Sequence, residues 1–210
     1  MSAPDGAGDA GVEPSARGRA GPRAVPTVNI ANVLTVSRLL LVPVFLLALF
    51  MDAGESTGWR LTATALFAIA SITDQVDGWI ARRYGLITDF GKLADPIADK
   101  ALIGAALVGL SALGELPWWV TIVIGVRELG VTLLRFWVIR HGVIPASRGG
   151  KAKTVAQILA IVIYLLPLPG YLFVVGAVAM GIAVALTVVT GVDYVVRAIR
   201  LRARSLADRG

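Results

Sequence analysis

Four aspartates stand at helical spacing in two neighbouring segments of the chain. Asp74 and Asp77 are three residues apart, and Asp95 and Asp99 are four residues apart. On an α-helix each pair shares one face, about one turn apart. The short connection between the two segments predicts antiparallel neighbouring helices, so the four carboxylates can converge at a similar depth.

The cost of placing carboxylates in an apolar setting indicates what these acids do. A carboxylate deep in a membrane helix costs about 2.5–3.5 kcal/mol, and like charges this close repel one another. Lys100 and Arg82 cannot neutralise all four. The chain has no cysteine and a single histidine, His141. A metal ion here would therefore be bound by oxygen ligands, which suit Mg²⁺ or Mn²⁺. We therefore predict a site for these cations, with two ions.

Two small residues and an arginine follow Asp77. Gly78 lets a flat ligand or another helix approach the backbone, and the small side chain of Ala81 leaves room on the same helix face. Arg82 is placed to contact phosphate. Alternatively, Gly78 and Ala81 serve helix packing, and Arg82 is an anchor at the cytoplasmic surface. Beside four acids, the arrangement favours a metal site next to a phosphate-bearing ligand.

The composition indicates a membrane protein and excludes several classes of chemistry. Of 210 residues, 56% are hydrophobic and 16% are charged, and the mean hydropathy is +0.76. Soluble domains carry roughly 25% charged residues. Without cysteine, the chain has no disulfide framework, thiolate metal site, iron–sulfur cluster or cysteine nucleophile.

Hydropathy patterning predicts an all-α polytopic membrane fold with six transmembrane helices and a cytoplasm-facing active site. The apolar stretches, each near the roughly 20 residues that span a bilayer, cover 38–52, 59–82, 93–113, 117–139, 153–169 and 171–196. The first is short, which allows a helix start near residues 29–37. We expect residues 1–28 to be a disordered cytoplasmic tail, 29–198 the membrane domain and 199–210 a basic cytoplasmic tail.

Positive charge is concentrated on one side of the predicted membrane. The termini and the loops near 83–92 and 140–152 are rich in Lys and Arg, whereas the other loops carry Glu55 and Glu115. This asymmetry predicts a multi-pass protein of the cell membrane with both termini in the cytoplasm. The net charge of +6 is then a topology signal, and nucleic acid is not an expected partner.

One pattern across both segments resembles the complete signature of the CDP-alcohol phosphotransferases: Asp74-x-x-Asp77-Gly78-x-x-Ala81-Arg82, eight residues, then Gly91-x-x-x-Asp95-x-x-x-Asp99. The resemblance implies metal-dependent transfer of a phosphatidyl group from CDP-diacylglycerol to an alcohol, with release of CMP, by a homodimer. It implies that all four aspartates hold the metals and that Asp99 is also the general base. The residues expected at the CDP-diacylglycerol pocket are Asn32, Thr35, Gly78, Ala81, Arg82, Thr88 and Gly91.

Further stretches resemble family members that use glycerol 3-phosphate as the acceptor: residues 29–35 with Arg38, 88–92, 95–100, 127–128, and 150–154 with Gln157. A dianionic acceptor phosphate needs cations beyond the metal site, and membrane-embedded arginine is costly without a partner. The candidates are Arg127, Arg135, Lys151 and Lys153. Arg127 could instead pair internally with Glu128 or an aspartate, and Lys151 could be a membrane-surface anchor.

Two other interpretations remain open at this point. The same chemistry could use inositol phosphate, inositol, serine or a second phosphatidylglycerol as the acceptor. A cation channel or transporter could bind a permeating ion at the acids, although transport acids usually lie near the bilayer midplane.

Overall fold

The computed structural model describes residues 30–84, 89–138 and 148–207, and this part of the chain is entirely helical. The helices are α1 (Ile30–Phe50), α2 (Thr57–Tyr84), α3 (Asp89–Ala112), α4 (Trp118–Val138), α5 (Arg148–Leu165) and α6 (Phe173–Ala207). Short 3-10 segments follow α1 at Met51–Gly54 and precede α6 at Gly170–Leu172. The predicted all-α class is confirmed for these ranges, and the predicted tail over residues 1–28 lies outside them.

Each apolar stretch predicted from the sequence coincides with one helix, with shifted ends. α1 already begins at Ile30, so the polar residues before the first stretch belong to the same helix. α5 ends at Leu165, two residues before Pro167, because a proline disfavours helical geometry in the residue before it. α6 has 35 residues and continues to Ala207, so most of the segment predicted as a basic tail is helical.

Contacts at one end of the bundle establish the direction of several helices. Arg60, near the start of α2, binds Glu115, just after the end of α3. The same guanidinium reaches the carbonyl oxygens of Tyr164 and Leu165 at the end of α5. α2 and α3 therefore run antiparallel, and the end of α2 and the start of α3 lie together at the opposite end of the bundle.

An apolar core fixes α1, α2 and α3 against one another. The rings of Phe45 in α1 and Phe67 in α2 are 5.8 Å apart between centroids, and both side chains are fully buried. α1 also lies so close to α3 that a Cβ atom added at Gly109 would be 2.6 Å from Leu49 Cδ2. This packing holds the two acid-bearing helices, α2 and α3, on a common partner.

Apolar side chains also cover much of the outside. Two segments, Val33–Gly54 and Phe173–Leu201, are long and apolar enough to cross a bilayer, each with a hydropathy of 2.4. Only 28% and 22% of their most apolar windows are buried. A core helix of a soluble protein would be mostly buried, so this exposure favours contact with lipid. Within the described ranges no other helix meets the same criterion.

Candidate active site

The backbone places the four aspartates at matching heights on α2 and α3. Asp77 lies seven residues before the end of α2, and Asp95 lies six residues after the start of α3. Asp74 and Asp99 each lie ten residues from the same two helix ends. Because α2 and α3 are antiparallel, the backbone positions of both pairs lie in the same layer of the bundle. The helical spacing that the sequence analysis assumed is therefore present.

Asp74 is the one motif aspartate whose side chain the structure describes, and it forms an ion pair with Arg38. Arg38 lies on α1, and its side chain is 1% exposed. Thr35, one turn earlier on the same helix, is also buried. The α1 segment that the sequence analysis associated with CDP-diacylglycerol thus reaches the acid motif through Arg38, a residue that was not itself among the predicted site residues.

A second cluster of charges, the Glu128 cluster, joins three helices. It consists of Glu128 and Arg127 on α4, Lys100 on α3 and Lys153 on α5. Lys100 Nζ lies 3.3 Å from Glu128 Oε2, and Arg127 Nη1 lies 3.1 Å from Glu128 Oε1. Lys153 Nζ also binds Oε1, and its side chain is only 7% exposed. The cluster brings Arg127 and Lys153, two predicted acceptor ligands, to one place.

Arg127 also ties the Glu128 cluster to α6. Its Nε donates to the carbonyl oxygen of Thr187 at 3.1 Å, and its Nη2 donates to Thr190 Oγ1 at 2.8 Å. Gln157 of α5 donates from Nε2 to Thr187 Oγ1 at 2.9 Å. The buried Oε1 of Gln157 has no hydrogen-bond partner within the described residues. Arg127 therefore forms the internal ion pair that the sequence left as an alternative, and its guanidinium is held in a defined position.

The remaining predicted site residues are described to different extents. Lys151 is exposed on the first turns of α5. The backbone is helical at several others, but their side chains lie outside the described set: Asn32, Asp77, Gly78, Ala81, Arg82, Gly91, Asp95, Asp99 and Arg135. Thr88 lies outside the described residues altogether. Their roles therefore remain predictions.

Besides Arg38, sequence reasoning missed Glu128 and Lys100 as candidate site residues. Lys100 follows Asp99 directly, and Glu128 follows Arg127, so both were visible beside predicted residues. Their pairing joins positions 28 residues apart on different helices. Spacing along one helix indicates which residues share a face, but it does not indicate which faces of two helices meet.

The donor chemistry on α2 and α3 fits divalent cations. The motif supplies oxygen donors only, and the described part of the bundle adds no group of three His, Cys, Asp or Glu side chains that could hold a metal elsewhere. Hard carboxylate oxygens are the ligands that Mg²⁺ and Mn²⁺ prefer. Arg38 supplies countercharge to one of the four carboxylates, that of Asp74.

A cavity of about 390 Å³ lies at the other end of the bundle, away from the acid motif. Arg60, Glu115, Tyr164 and Phe173 are among its lining residues. Arg60 lies 14 residues before Asp74 on α2, which corresponds to about 21 Å along the helix. This cavity is therefore separate from the candidate active site, and its volume does not identify it as the site of the chemistry.

In the described ranges the protein is helical, with paired aspartates on two antiparallel helices and a partly buried cluster of charges that joins α3, α4 and α5. The chain matches the family model described as CDP-alcohol phosphatidyltransferase over residues 28–189. It belongs to this family, which confirms the resemblance drawn from the aspartate signature.

Named relatives extend over most of the chain. A probable phosphatidylglycerophosphate synthase of Mycobacterium tuberculosis strain H37Rv is 60% identical over 172 residues, covering 82% of each chain. Two proteins named CDP-diacylglycerol–glycerol-3-phosphate 3-phosphatidyltransferase are also similar. The one from Rickettsia felis is 39% identical and the one from Bacillus subtilis strain 168 is 38% identical, each covering 79% of this chain and 93% of its own length.

Proposed function

We propose that this chain transfers the phosphatidyl group of CDP-diacylglycerol to glycerol 3-phosphate, which gives phosphatidylglycerophosphate and CMP. Membership of the family and the names of three relatives at 38–60% identity support the reaction. The observation that carries the choice of acceptor is the position of the Glu128 cluster. Lys100, one of its cations, is the residue next to Asp99.

This adjacency suits an acceptor that carries both a hydroxyl and a phosphate. Neighbouring residues of an α-helix differ in height by only about 1.5 Å, so Lys100, a phosphate-binding cation in this proposal, lies at the depth of the expected general base on α3. An acceptor phosphate near Lys100, Arg127 and Lys153 would leave its hydroxyl within reach of Asp99. Arg135 and Lys151 stay as further candidates at the cytoplasmic end of the same helices.

The transfer needs one proton removed and one phosphorus–oxygen bond exchanged. Asp99 accepts the proton of the acceptor hydroxyl, whose oxygen forms a bond to the phosphorus bearing diacylglycerol. The bond from that phosphorus to the bridging oxygen breaks, and CMP leaves with the bonding electrons. When bound by Asp74, Asp77, Asp95 and Asp99, two Mg²⁺ or Mn²⁺ ions would supply countercharge to the pyrophosphate. Binding both substrates with the acceptor oxygen oriented toward the phosphorus supplies much of the remaining rate enhancement.

The predicted nucleotide-lipid pocket lies beside this centre. Gly78 and Ala81 leave room near the α2 backbone, and Arg82 offers a guanidinium to phosphate. Asn32 and Thr35 on α1, with Thr88 and Gly91 before and within α3, complete the proposed pocket. A site that opens sideways into the bilayer leaves the acyl chains of the substrate in hydrocarbon.

We further propose a multi-pass arrangement in the cell membrane with six spans, both termini in the cytoplasm and a homodimeric assembly. The antiparallel arrangement of α2 and α3 and the exposed apolar surface support crossing of the membrane. Polar and charged residues of α2, α4 and α5 lower the hydropathy of those helices, as expected for spans that line a charged site.

An acceptor panel tests the proposed function. Purified protein in lipid nanodiscs receives CDP-diacylglycerol and Mg²⁺ with glycerol 3-phosphate, inositol 1-phosphate, inositol, serine or phosphatidylglycerol, and CMP and lipid products are quantified. Among these acceptors, we expect rapid turnover only with glycerol 3-phosphate. A higher kcat/KM with another acceptor would refute the assignment, and absence of CMP release with every acceptor would refute the reaction class.

A variant separates the proton transfer from nucleotide binding. Asp99→Asn keeps the size of the side chain and removes its basicity, so we expect CDP-diacylglycerol binding to survive while turnover falls by at least about 100-fold, the lower range for general base catalysis. Turnover near that of the unaltered protein would contradict the assignment of the base.

A further inference from the structure

The cavity at the end of the bundle opposite the acid motif is lined by more acid than base. Its volume of about 390 Å³ lies within the range of small-molecule sites, roughly 300–1,000 Å³. The charged residues of its lining are Glu55, Arg60 and Glu115. Asp52 is the one other charged residue in the segments that build this half of the bundle: 39–73, 101–126 and 154–192.

The positive charge at this end is already neutralised within the protein. Arg60 is 6% exposed, and its guanidinium binds both oxygens of Glu115 as well as two carbonyl oxygens of α5. Glu115 remains 32% exposed, and a carboxylate has about four lone-pair sites, so it can accept a further donor. Glu55 is exposed, and its carboxylate has no partner among the described residues. The cavity therefore holds one uncompensated negative charge.

Tyr164 adds a third oxygen and an aromatic wall. It is 9% exposed although it lines the cavity, and its hydroxyl has no hydrogen-bond partner in the described part of the chain. The rings of Tyr164 and Phe173 are 5.9 Å apart between centroids, and their planes meet at 77°. Two rings at this angle leave a corner in which a cation can contact both faces. The rest of the lining includes apolar side chains: Ile163, Leu166, Leu168 and Leu172.

These lining groups suit an organic cation better than a metal ion. Ca²⁺ takes six to eight oxygen ligands, whereas the lining offers two carboxylates and one hydroxyl from its side chains. A primary ammonium has three N–H donors, which matches these three oxygen-bearing groups in number. The apolar walls favour a hydrocarbon chain next to the charged group.

We propose that this cavity binds the primary ammonium head of an amphiphile, with Glu55, Glu115 and Tyr164 as acceptors. Leu168 is 40% exposed and Phe173 is 58% exposed, so the hydrocarbon chain of the ligand can continue from the cavity along the apolar surface of the bundle. The inference is independent of the proposed function, because the cavity is separate from the acid motif.

Photolabelling of the full chain tests the inference. The protein is placed in phosphatidylcholine nanodiscs, whose lipids carry no primary ammonium, and is labelled with a diazirine analogue of decylamine. Mass spectrometry should find labels within residues 163–176, and unlabelled decylamine should compete. Equal labelling by the matching analogue of decanol would overturn the inference, because the hydrocarbon chain alone would then fill the cavity. Competition by ethylamine or by decyltrimethylammonium as strong as that by decylamine would overturn the choice of an amphiphile or of an N–H donor, respectively.

Three variants place the binding in the cavity. Glu55→Gln removes the unpartnered charge, so the apparent Kd of decylamine should rise roughly three- to tenfold, the loss of one exposed charge-assisted hydrogen bond. Asp52→Asn is the matched control, because it removes the same charge outside the lining and asparagine accepts the φ of 55° found there. It should change the Kd less than twofold.

Leu168→Trp fills part of the cavity without changing the charge and should abolish the labelling of residues 163–176. Labelling that persists in Leu168→Trp would overturn the location of the site. Equal effects of Glu55→Gln and Asp52→Asn would show general attraction of cations to an acidic surface and would also overturn the inference.

Discussion

Replacement of Arg60 should destabilise the bundle without altering the chemistry of the site. The guanidinium binds both oxygens of Glu115, and it donates to the carbonyl oxygens of Leu165 at 3.1 Å and Tyr164 at 2.6 Å. Those carbonyls belong to the last turn of α5, where no later helical N–H can reach them. Arg60 thus connects the start of α2 to the ends of α3 and α5.

The magnitude follows from what Arg60→Met leaves behind. The side chain of Glu115 is 32% exposed, so water can solvate its carboxylate after the change. The two carbonyls belong to buried residues and lose a charged donor worth about 1.5–3 kcal/mol each. The methionine recovers part of this loss by packing, so we expect the free energy of unfolding to fall by about 3–5 kcal/mol.

Denaturation by SDS in mixed micelles, followed by circular dichroism, measures this loss. Glu115→Gln is the matched control, because it keeps a hydrogen-bond acceptor for Arg60 and leaves the two carbonyl contacts intact; it should cost about 1 kcal/mol. KM values for both substrates should stay within twofold in the folded fraction of Arg60→Met. A loss below 1 kcal/mol in Arg60→Met, or an equal loss in both variants, would refute the reasoning.

Three other predictions use glycines and the metal. A Cβ at Gly191 would lie 3.0 Å from Arg127 Cγ. Gly191→Ala should therefore displace the Arg127 side chain and raise the KM for glycerol 3-phosphate roughly three- to tenfold. Gly181 has open space around it, so the control variant Gly181→Ala should leave the KM values for both substrates unchanged. Gly109→Ala should lower the free energy of unfolding by about 1–3 kcal/mol through overpacking. Gly104 also has open space around it, so Gly104→Ala should raise the free energy of unfolding by up to about 1 kcal/mol. Removal of divalent cations with EDTA should abolish CMP release and Mg²⁺ should restore it; activity that persists in EDTA would contradict the metal assignment.

The helices were predictable because their determinants are local. Apolar runs near the length of a membrane span located all six described helices, although the run predicted over 153–169 extends past the end of α5 at Leu165. The spacing of Asp74 and Asp77, and of Asp95 and Asp99, is enough to predict that each pair shares one helix face. These inferences need only the period of an α-helix.

The ion pairs between helices were not predictable from the same information. Arg38 and Asp74 are 36 residues apart, and Arg60 and Glu115 are 55 apart. Each pair depends on the rotation and the crossing angle of two helices. The packing of many side chains, such as Phe45 and Phe67, determines this geometry. The hydrogen bonds from Arg60 to the last carbonyl oxygens of α5 likewise depend on helix packing, which the spacing of residues along the chain does not indicate.

The central claim is that the aspartates of α2 and α3 hold divalent cations together, and Mn²⁺ binding tests it most directly. Electron paramagnetic resonance of the full chain, titrated with Mn²⁺ in nanodiscs, reports both stoichiometry and the dipolar coupling between neighbouring ions. We predict two coupled Mn²⁺ ions per chain, with coupling lost in Asp95→Asn. One isolated ion, no binding, or coupling that persists in Asp95→Asn would contradict the claim.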